Sequence, residues 1–243
     1  MTQAVADFGR RYLPRGWKHL ALQFVIWFGF LIAYQAARGF AVRGPASQAR
    51  AFTNGIRVIN FESNLNALYE LTFQRLADGY GLLHSAVYFT YWFSEFGVVG
   101  IGLLYIYFQY HESFTRTRNT LLLANVIGLV GYVWMPTAPP RFFHTFGFED
   151  TQFAGTVAFF ANPYAAMPSL HVADALIIGG ALALLCKHWF TRIIWSLWPV
   201  WVAFSVMATA NHYWLDCVAG AGVALLAAGI VQLVRARRIA NAL

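Results

Sequence analysis

Six long apolar runs follow one another along the chain, separated by more polar segments. A helix needs about 20 residues to cross the hydrocarbon core of a bilayer, so runs near that length predict membrane spans. Pro136 closes the third run, because proline disfavours helix, and Pro168 suits the first turn of the fourth. The predicted spans cover about residues 17–37, 83–107, 120–135, 168–187, 193–209 and 212–234. The pattern predicts an all-α bundle of six transmembrane helices in one membrane domain, residues 1–243.

The segment between the first two spans, residues 45–80, has a different pattern. Large apolar side chains such as Phe61, Leu65, Phe73 and Leu76 recur there at roughly helical spacing, among charged residues. This spacing predicts an amphipathic, interfacial helical segment that lies on the membrane surface. A solvated loop is the alternative, and so many large apolar residues disfavour it.

Composition agrees with a membrane protein. The chain is 59% hydrophobic and only 11% charged, whereas a soluble domain carries roughly 25% charged residues. Its net charge of +7 is typical of basic residues that flank spans and face anionic lipid. No basic helix or aromatic-basic platform is present, so the expected partner is the bilayer and not a nucleic acid. Cys186 and Cys217 fall near opposite ends of their spans, which predicts no disulfide.

The basic residues also orient the predicted bundle. An alternating path brings the end of span three and the starts of spans four and six to one side. Eleven of the 17 Lys and Arg residues fall on the other side: Arg10, Arg11, Arg15, Lys18, Arg116, Arg118, Lys187, Arg192, Arg235, Arg237 and Arg238. The basic-rich side is normally cytoplasmic. Both termini are therefore expected in the cytoplasm of a plasma or inner membrane, with the first span retained as an anchor and the polar span ends extracytoplasmic.

Residues at the polar span ends are candidates for catalysis and anion binding. His212 and Asp216 are four residues apart, which predicts that they share a helical face and that Asp216 orients a basic imidazole. A structural His–Asp pair between helices is the alternative. Ser169 and the amides of Leu170 and His171 open span four, where a helix start offers an anion site. Ser169 is alternatively a helix cap.

Arg141 follows two prolines that stiffen its approach, and a guanidinium binds phosphate oxygens in bidentate fashion. An interfacial arginine that meets lipid headgroups is the alternative. Asp174 lies three residues beyond His171, where it either orients that ring, binds a hydroxylated headgroup or is solvated at the interface. Asn211 and Tyr213 flank the His212 position and are further candidates for substrate contact.

The three clusters resemble the type 2 phosphatidic acid phosphatase superfamily. The matching pieces are residues 136–141 (PTAPPR), 168–171 (PSLH) and 212–220 (HYWLDCVAG). Within the superfamily they look most like the inositol phosphorylceramide synthase branch, which residues 62–91 also resemble more loosely. The resemblance covers roughly residues 60–230.

The resemblance implies a six-helix bundle and a mechanism without metal or cofactor. His212 then attacks phosphorus and becomes a phosphohistidine, and Asp216 orients it. His171 protonates the leaving group and later deprotonates the acceptor. Arg141 and Ser169 bind the phosphoryl oxygens.

Two positions depart from the broader superfamily, which has a lysine seven residues before Arg141 and an arginine six residues before His212. Trp134 and Val206 stand at those positions here. Phosphoryl transfer depends on positioning and charge stabilisation, so a site with fewer cations favours a less charged donor. The hypothesis is a phosphodiester headgroup lipid and not a phosphate monoester.

The leading interpretation is a lipid phosphotransferase that moves a phosphoryl-containing headgroup from a lipid donor to an alcohol acceptor. The acceptor is either an inositol-type headgroup or a lipid. With water as acceptor the same site would be a lipid phosphate or polyprenyl diphosphate phosphatase. A non-catalytic lipid-binding membrane protein is a third interpretation, which the retention of His171, His212 and Asp216 disfavours. Glu95, midway along span two, is either functional or protonated and hydrogen-bonded inside the bundle.

Overall fold

The computed structural model describes three ranges of the chain, residues 13–41, 44–150 and 163–241. Three arginines used to orient the predicted bundle, Arg10, Arg11 and Arg43, lie outside the described residues. So does the middle of the loop predicted between residues 136 and 165.

The regular structure of the described ranges is helical, as predicted. The α-helices are α1 Gly16–Ala41, α2 Pro45–Asn64, α3 Tyr69–Asp78, α4 Gly81–Phe93, α5 Val99–Gln109, α6 His111–Trp134, α7 Leu170–Leu185, α8 Trp189–Ala208 and α9 Trp214–Ala240. A π-helix, Ser94–Val98, joins α4 to α5, and short 3-10 helices cover Pro140–Phe142 and His144–Phe146. An isolated parallel bridge joins Thr137 to Ala165.

Four helical segments are long and apolar enough to cross a membrane: Gly16–Ala37, Gly81–Gln109, Trp189–Ala208 and Trp214–Ala240. They correspond to the first, second, fifth and sixth predicted spans. α7 is apolar but has only 16 residues, and α6 has 24 residues with a charged first half. Crossing by α6 and α7, the count of six and the orientation of the bundle remain predictions.

Several helices, α6 and α9 among them, are longer than the apolar runs that predicted them. α6 begins at His111 and not near residue 120, and α9 continues to Ala240, beyond residue 234. Hydropathy detects only the apolar part of a helix. Arginine is a good helix former, so the helices extend through polar turns that the apolar pattern does not mark.

α7 lies at the centre of the molecule and packs against α5, α6, α8 and α9. Its side chains are buried around most of its circumference, including Leu170, Ile178 and Leu182. Close approach is possible because α6 presents glycines: a Cβ on Gly128 would meet Leu170 at 2.6 Å, and one on Gly131 would meet Pro168 at 2.6 Å. The first turn of α7 is thereby held at a fixed depth in the bundle.

The predicted interfacial segment forms two helices, α2 and α3. One face of α2, including Val58 and Ile59, packs in the hydrophobic core. The rest of the helix surface exposes large apolar side chains, among them Ile56 and Phe61. This two-sided apolar character agrees with a segment between protein and lipid, although its position at a membrane surface remains a prediction.

Candidate active site

His212 lies in the turn between α8 and α9, two residues before Trp214. Its amide and that of Asn211 both donate to the carbonyl of Val206, each at 3.1 Å. The ring Nδ1 lies 2.8 Å from the carbonyl oxygen of Ala166. A carbonyl only accepts, so Nδ1 carries the proton of the neutral ring and Nε2 keeps its lone pair. This tautomer is the one that a histidine nucleophile attacking through Nε2 requires.

Asp216 stands beside His212 but not on a shared helical face. His212 precedes α9, so the sequence-based geometry is corrected: the carboxylate reaches the ring across the start of the helix. Oδ2 of Asp216 lies 3.4 Å from Nδ1 of His212 and accepts the amide of Tyr213 at 2.9 Å. The carboxylate thus supports the turn that carries His212, while the Ala166 carbonyl makes the shorter contact to the ring.

His171 is the second residue of α7 and is almost fully buried. Its Nε2 lies 3.4 Å from Oε2 of Glu95, and its ring stacks on Tyr91 with centroids 4.7 Å apart. Glu95 belongs to the π-helix between α4 and α5, a distortion often found at functional sites. The contact with His171 makes Glu95 a further candidate for the site, and its signal in the sequence is an acid midway along an apolar span.

The imidazoles of His171 and His212 lie edge to face. The rings of His171 and His212 have centroids 5.6 Å apart and planes inclined by 63°. Both rings line the same cavity, so a group bound there would be within reach of both. The convergence expected from the alternating path of the spans is therefore present in the structure.

Arg141 reaches the same place from the loop after α6. Its amide donates to the carbonyl of Ala210 at 2.9 Å, which ties the loop to the turn before α9. Its guanidinium donates to Oδ1 of Asn211 and lies 3.9 Å from a carboxylate oxygen of Asp150. Phe142 packs under the guanidinium, 4.8 Å from ring centre to Cζ. Asn211 therefore orients Arg141 in this structure.

These side chains line a common cavity. It is bounded by Tyr91, Glu95, Tyr132, Pro139, Arg141, Pro163, Ala165, Ala166, His171, Asn211 and His212. Its volume of about 30 Å³ has room for one or two waters. A phosphoryl group would have to displace part of the wall.

Other predicted site residues lie behind the cavity wall. The Ser169 hydroxyl is fully buried and has no hydrogen-bond partner among the described residues. Leu170 is the first residue of α7, so its amide has no carbonyl from an earlier turn, while its side chain packs on Gly128. Asp174 accepts from Asn125 at 2.9 Å. Tyr213 is buried and donates to the carbonyl of Ala138 at 3.0 Å, so it supports the Arg141 loop and does not line the cavity.

The two positions that depart from the superfamily place no cation at the cavity. Trp134 is 84% exposed, and Val206 is fully buried. Arg141 is the one permanently charged cation among the described cavity residues. Within the described ranges, no group of three or more His, Cys, Asp and Glu side chains is arranged to hold a metal ion.

Comparison with known proteins agrees with the motifs. A relative is phosphoinositol dihydroceramide synthase of Bacteroides thetaiotaomicron, 26% identical over 146 residues, which cover 51% of this chain and 48% of the relative. The chain thus spans about half the length of that protein. No solved structure matches. The PAP2 superfamily profile matches residues 56–230. That match covers most of the chain and all three motifs, and the chain belongs to the PAP2 superfamily.

Proposed function

We propose that the chain is a membrane lipid phosphotransferase that works through a phosphohistidine at His212. The observation that carries the proposal is the meeting of two imidazoles and one guanidinium at a single cavity. His212 is held in the tautomer that leaves Nε2 free of a proton. The second ring, His171, stands within reach of the same bound group.

The proposed reaction has two half-reactions, and neither requires a metal ion. Nε2 of His212 attacks phosphorus, the bond from phosphorus to the leaving oxygen breaks, and that oxygen takes a proton from His171. Glu95 stabilises the positive charge that His171 carries before this transfer. In the second half, an acceptor hydroxyl gives its proton to His171 and attacks phosphorus, and the bond to His212 breaks. Arg141 stabilises the charge on the phosphoryl oxygens.

The donor class follows from the charge of the cavity. One arginine, where the broader superfamily has further cations, fits a phosphodiester with one negative charge better than a phosphate monoester with about two. The relative named above is a synthase of a phosphoinositol lipid. We therefore propose a phosphoinositol-type headgroup lipid as donor and an alcohol as acceptor. The six-span bundle and an extracytoplasmic site belong to the same proposal.

The test uses purified chain in lipid nanodiscs with labelled phosphatidic acid or labelled phosphodiester lipids, each with and without inositol or a lipid alcohol. We expect headgroup transfer from the diester and an acid-labile phosphohistidine on the wild-type protein. His212→Ala should remove both. His188→Ala, an exposed histidine near the start of α8, is the matched control and should keep both.

Two results would contradict the proposal. The first is full turnover by the His212→Ala protein. The second is rapid phosphate release from phosphatidic acid with no use of diester lipids, which would support a water-dependent phosphatase. Absence of any turnover or trapped intermediate, from a protein that binds the lipids, would support the non-catalytic interpretation.

A further inference from the structure

Three consecutive amides at the start of α9 are each bound by a carboxylate. The amide of Tyr213 donates to Asp216 at 2.9 Å, that of Trp214 to Oε1 of Glu70, and that of Leu215 to Oε1 of Glu62 at 3.1 Å. The first amides of a helix have no partner within the helix. Here residues from α2, α3 and α9 itself supply those partners, directly after His212.

Glu62 and Glu70 are both fully buried. The second carboxyl oxygen of each, Oε2, has no hydrogen-bond donor among the described residues. Isolated buried carboxylates are costly, and each unsatisfied oxygen adds to that cost. A proton held between the two carboxyls would satisfy both free oxygens and remove one negative charge.

The surroundings of Glu62 and Glu70 favour a proton shared between their carboxyl groups. Burial raises the pKa of Glu62, and the neighbouring charges of Glu70 and Asp216 raise it further. Burial also raises the pKa of Glu70, whereas hydrogen bonds from the backbone amides of Glu70 itself and of Trp214 lower it. The other titratable groups that face the pair are Tyr213 and Cys217.

α2, which carries Glu62, also holds the loop that carries Arg141. The carbonyl of Ala51 accepts the amide of Ala138 at 3.0 Å, and the side-chain amide of Asn54 donates to the carbonyl of Pro136 at 2.8 Å. α2 therefore contacts the phosphate-binding loop at one end and the start of α9 at the other.

We propose that Glu62 and Glu70 are positioning residues: a proton-sharing acid pair that fixes the first turn of α9, and with it the place of His212 opposite His171. This inference rests on the proposed function, because positioning is read through turnover. The pair touches neither the cavity nor, by the proposed mechanism, the substrate. The pair contributes to turnover by fixing the position of Nε2 of His212.

The experiment compares Glu62→Ala, Glu62→Gln and Glu70→Ala with Gln74→Ala. Gln74 is a matched control because it is also buried on α3, but its side chain hydrogen-bonds to the backbone of Glu149 and not to α9. For each protein, kcat, KM and the thermal unfolding midpoint are measured in nanodiscs. Infrared spectra are recorded for the carbonyl stretch of a protonated carboxyl.

We expect each Ala variant of the pair to lower kcat about 10-fold to 100-fold with little change in KM, as for a small misplacement of a reacting group. Glu62→Gln should restore kcat, because an amide accepts from Leu215 and donates to Glu70 as the protonated acid does. The infrared band of wild type should weaken in Glu62→Gln. Gln74→Ala should keep wild-type kcat at a comparable unfolding midpoint.

Three results would overturn the inference: unchanged kcat in both Ala variants, a loss of kcat in Gln74→Ala as large as in Glu62→Ala, or no band that depends on Glu62. Failure of the proposed function gives a different result, since wild type would then be inactive in the same assay. The infrared difference tests the shared proton in either case.

Discussion

At the scale of single residues, the surroundings of His212 come from distant parts of the chain. The His212–Asp216 spacing predicted a ring oriented by a carboxylate on one helical face. In the structure Nδ1 of the ring lies closer to the carbonyl oxygen of Ala166, 46 residues away in sequence, than to Asp216. Spacing rules describe one helix, whereas this contact depends on how α7 and α9 pack, which local sequence does not contain.

Glu95 gives a residue-scale prediction. Its carboxylate lies 3.4 Å from Nε2 of His171. A neutral amide there would no longer stabilise the imidazolium that, in the proposed mechanism, protonates the leaving group. Glu95→Gln should lower kcat by about 10²-fold, at the low end for loss of general acid catalysis, with KM nearly unchanged. Steady-state turnover of the diester lipid measures both.

Glu112→Gln, an exposed acid near the start of α6, controls for loss of a carboxylate elsewhere and should leave kcat unchanged. A Glu95→Gln protein with kcat within twofold of wild type would mean that Glu95 does not act on His171.

At the scale of elements, apolar runs located the helices but not their ends or the π-helix between α4 and α5. The interfacial segment was predicted as one amphipathic stretch, and the structure breaks it into α2 and α3 around Asn66, which has a positive φ of 53°. Asparagine tolerates this backbone region, yet an isolated asparagine is too common to mark a break. The π-helix at Glu95 likewise has no sequence signature independent of tertiary packing.

Gly220 gives an element-scale prediction. A Cβ at this position would lie 2.1 Å from the carbonyl oxygen of Ser169, so α9 and the start of α7 touch backbone to backbone. Gly220→Ala should separate the two elements that carry His212 and His171. We expect a loss of about 1–3 kcal/mol in unfolding free energy from overpacking, with reduced turnover.

Gly222→Ala is the matched control on the same helix, because a Cβ there meets nothing within 4 Å. It should be neutral or slightly stabilising, since alanine favours helix over glycine. Thermal unfolding of both variants in nanodiscs measures the difference, and equal midpoints would contradict the close approach.

At the scale of the whole molecule, composition predicted a membrane protein, and the alternating path of the predicted spans placed their polar ends on one side. The burial of the Glu62–Glu70 pair was not predictable in the same way. Both glutamates were counted among the charged residues of a surface segment, because a sequence does not reveal which face of an amphipathic helix meets other protein. Six apolar runs and the polar segments between them therefore predicted the bundle, whereas the buried position of the acid pair is evident only in the folded chain.

The buried acid pair makes stability depend on pH in a definite direction. Glutamate has an ordinary pKa of 4.5, and burial raises the pKa of both Glu62 and Glu70 in the folded protein. Above that ordinary value the unfolded chain loses protons that the folded chain keeps, so the folded state binds more protons. The unfolding free energy should then fall as pH rises, by at most about 1.4 kcal/mol per pH unit for each retained proton.

Glu62→Gln removes one titrating group, so its thermal midpoint should fall less than that of wild type between about pH 5 and pH 8. Glu112→Gln, which removes an exposed carboxyl, should keep the wild-type slope, and an identical slope in Glu62→Gln would show that this carboxyl titrates as it does in water.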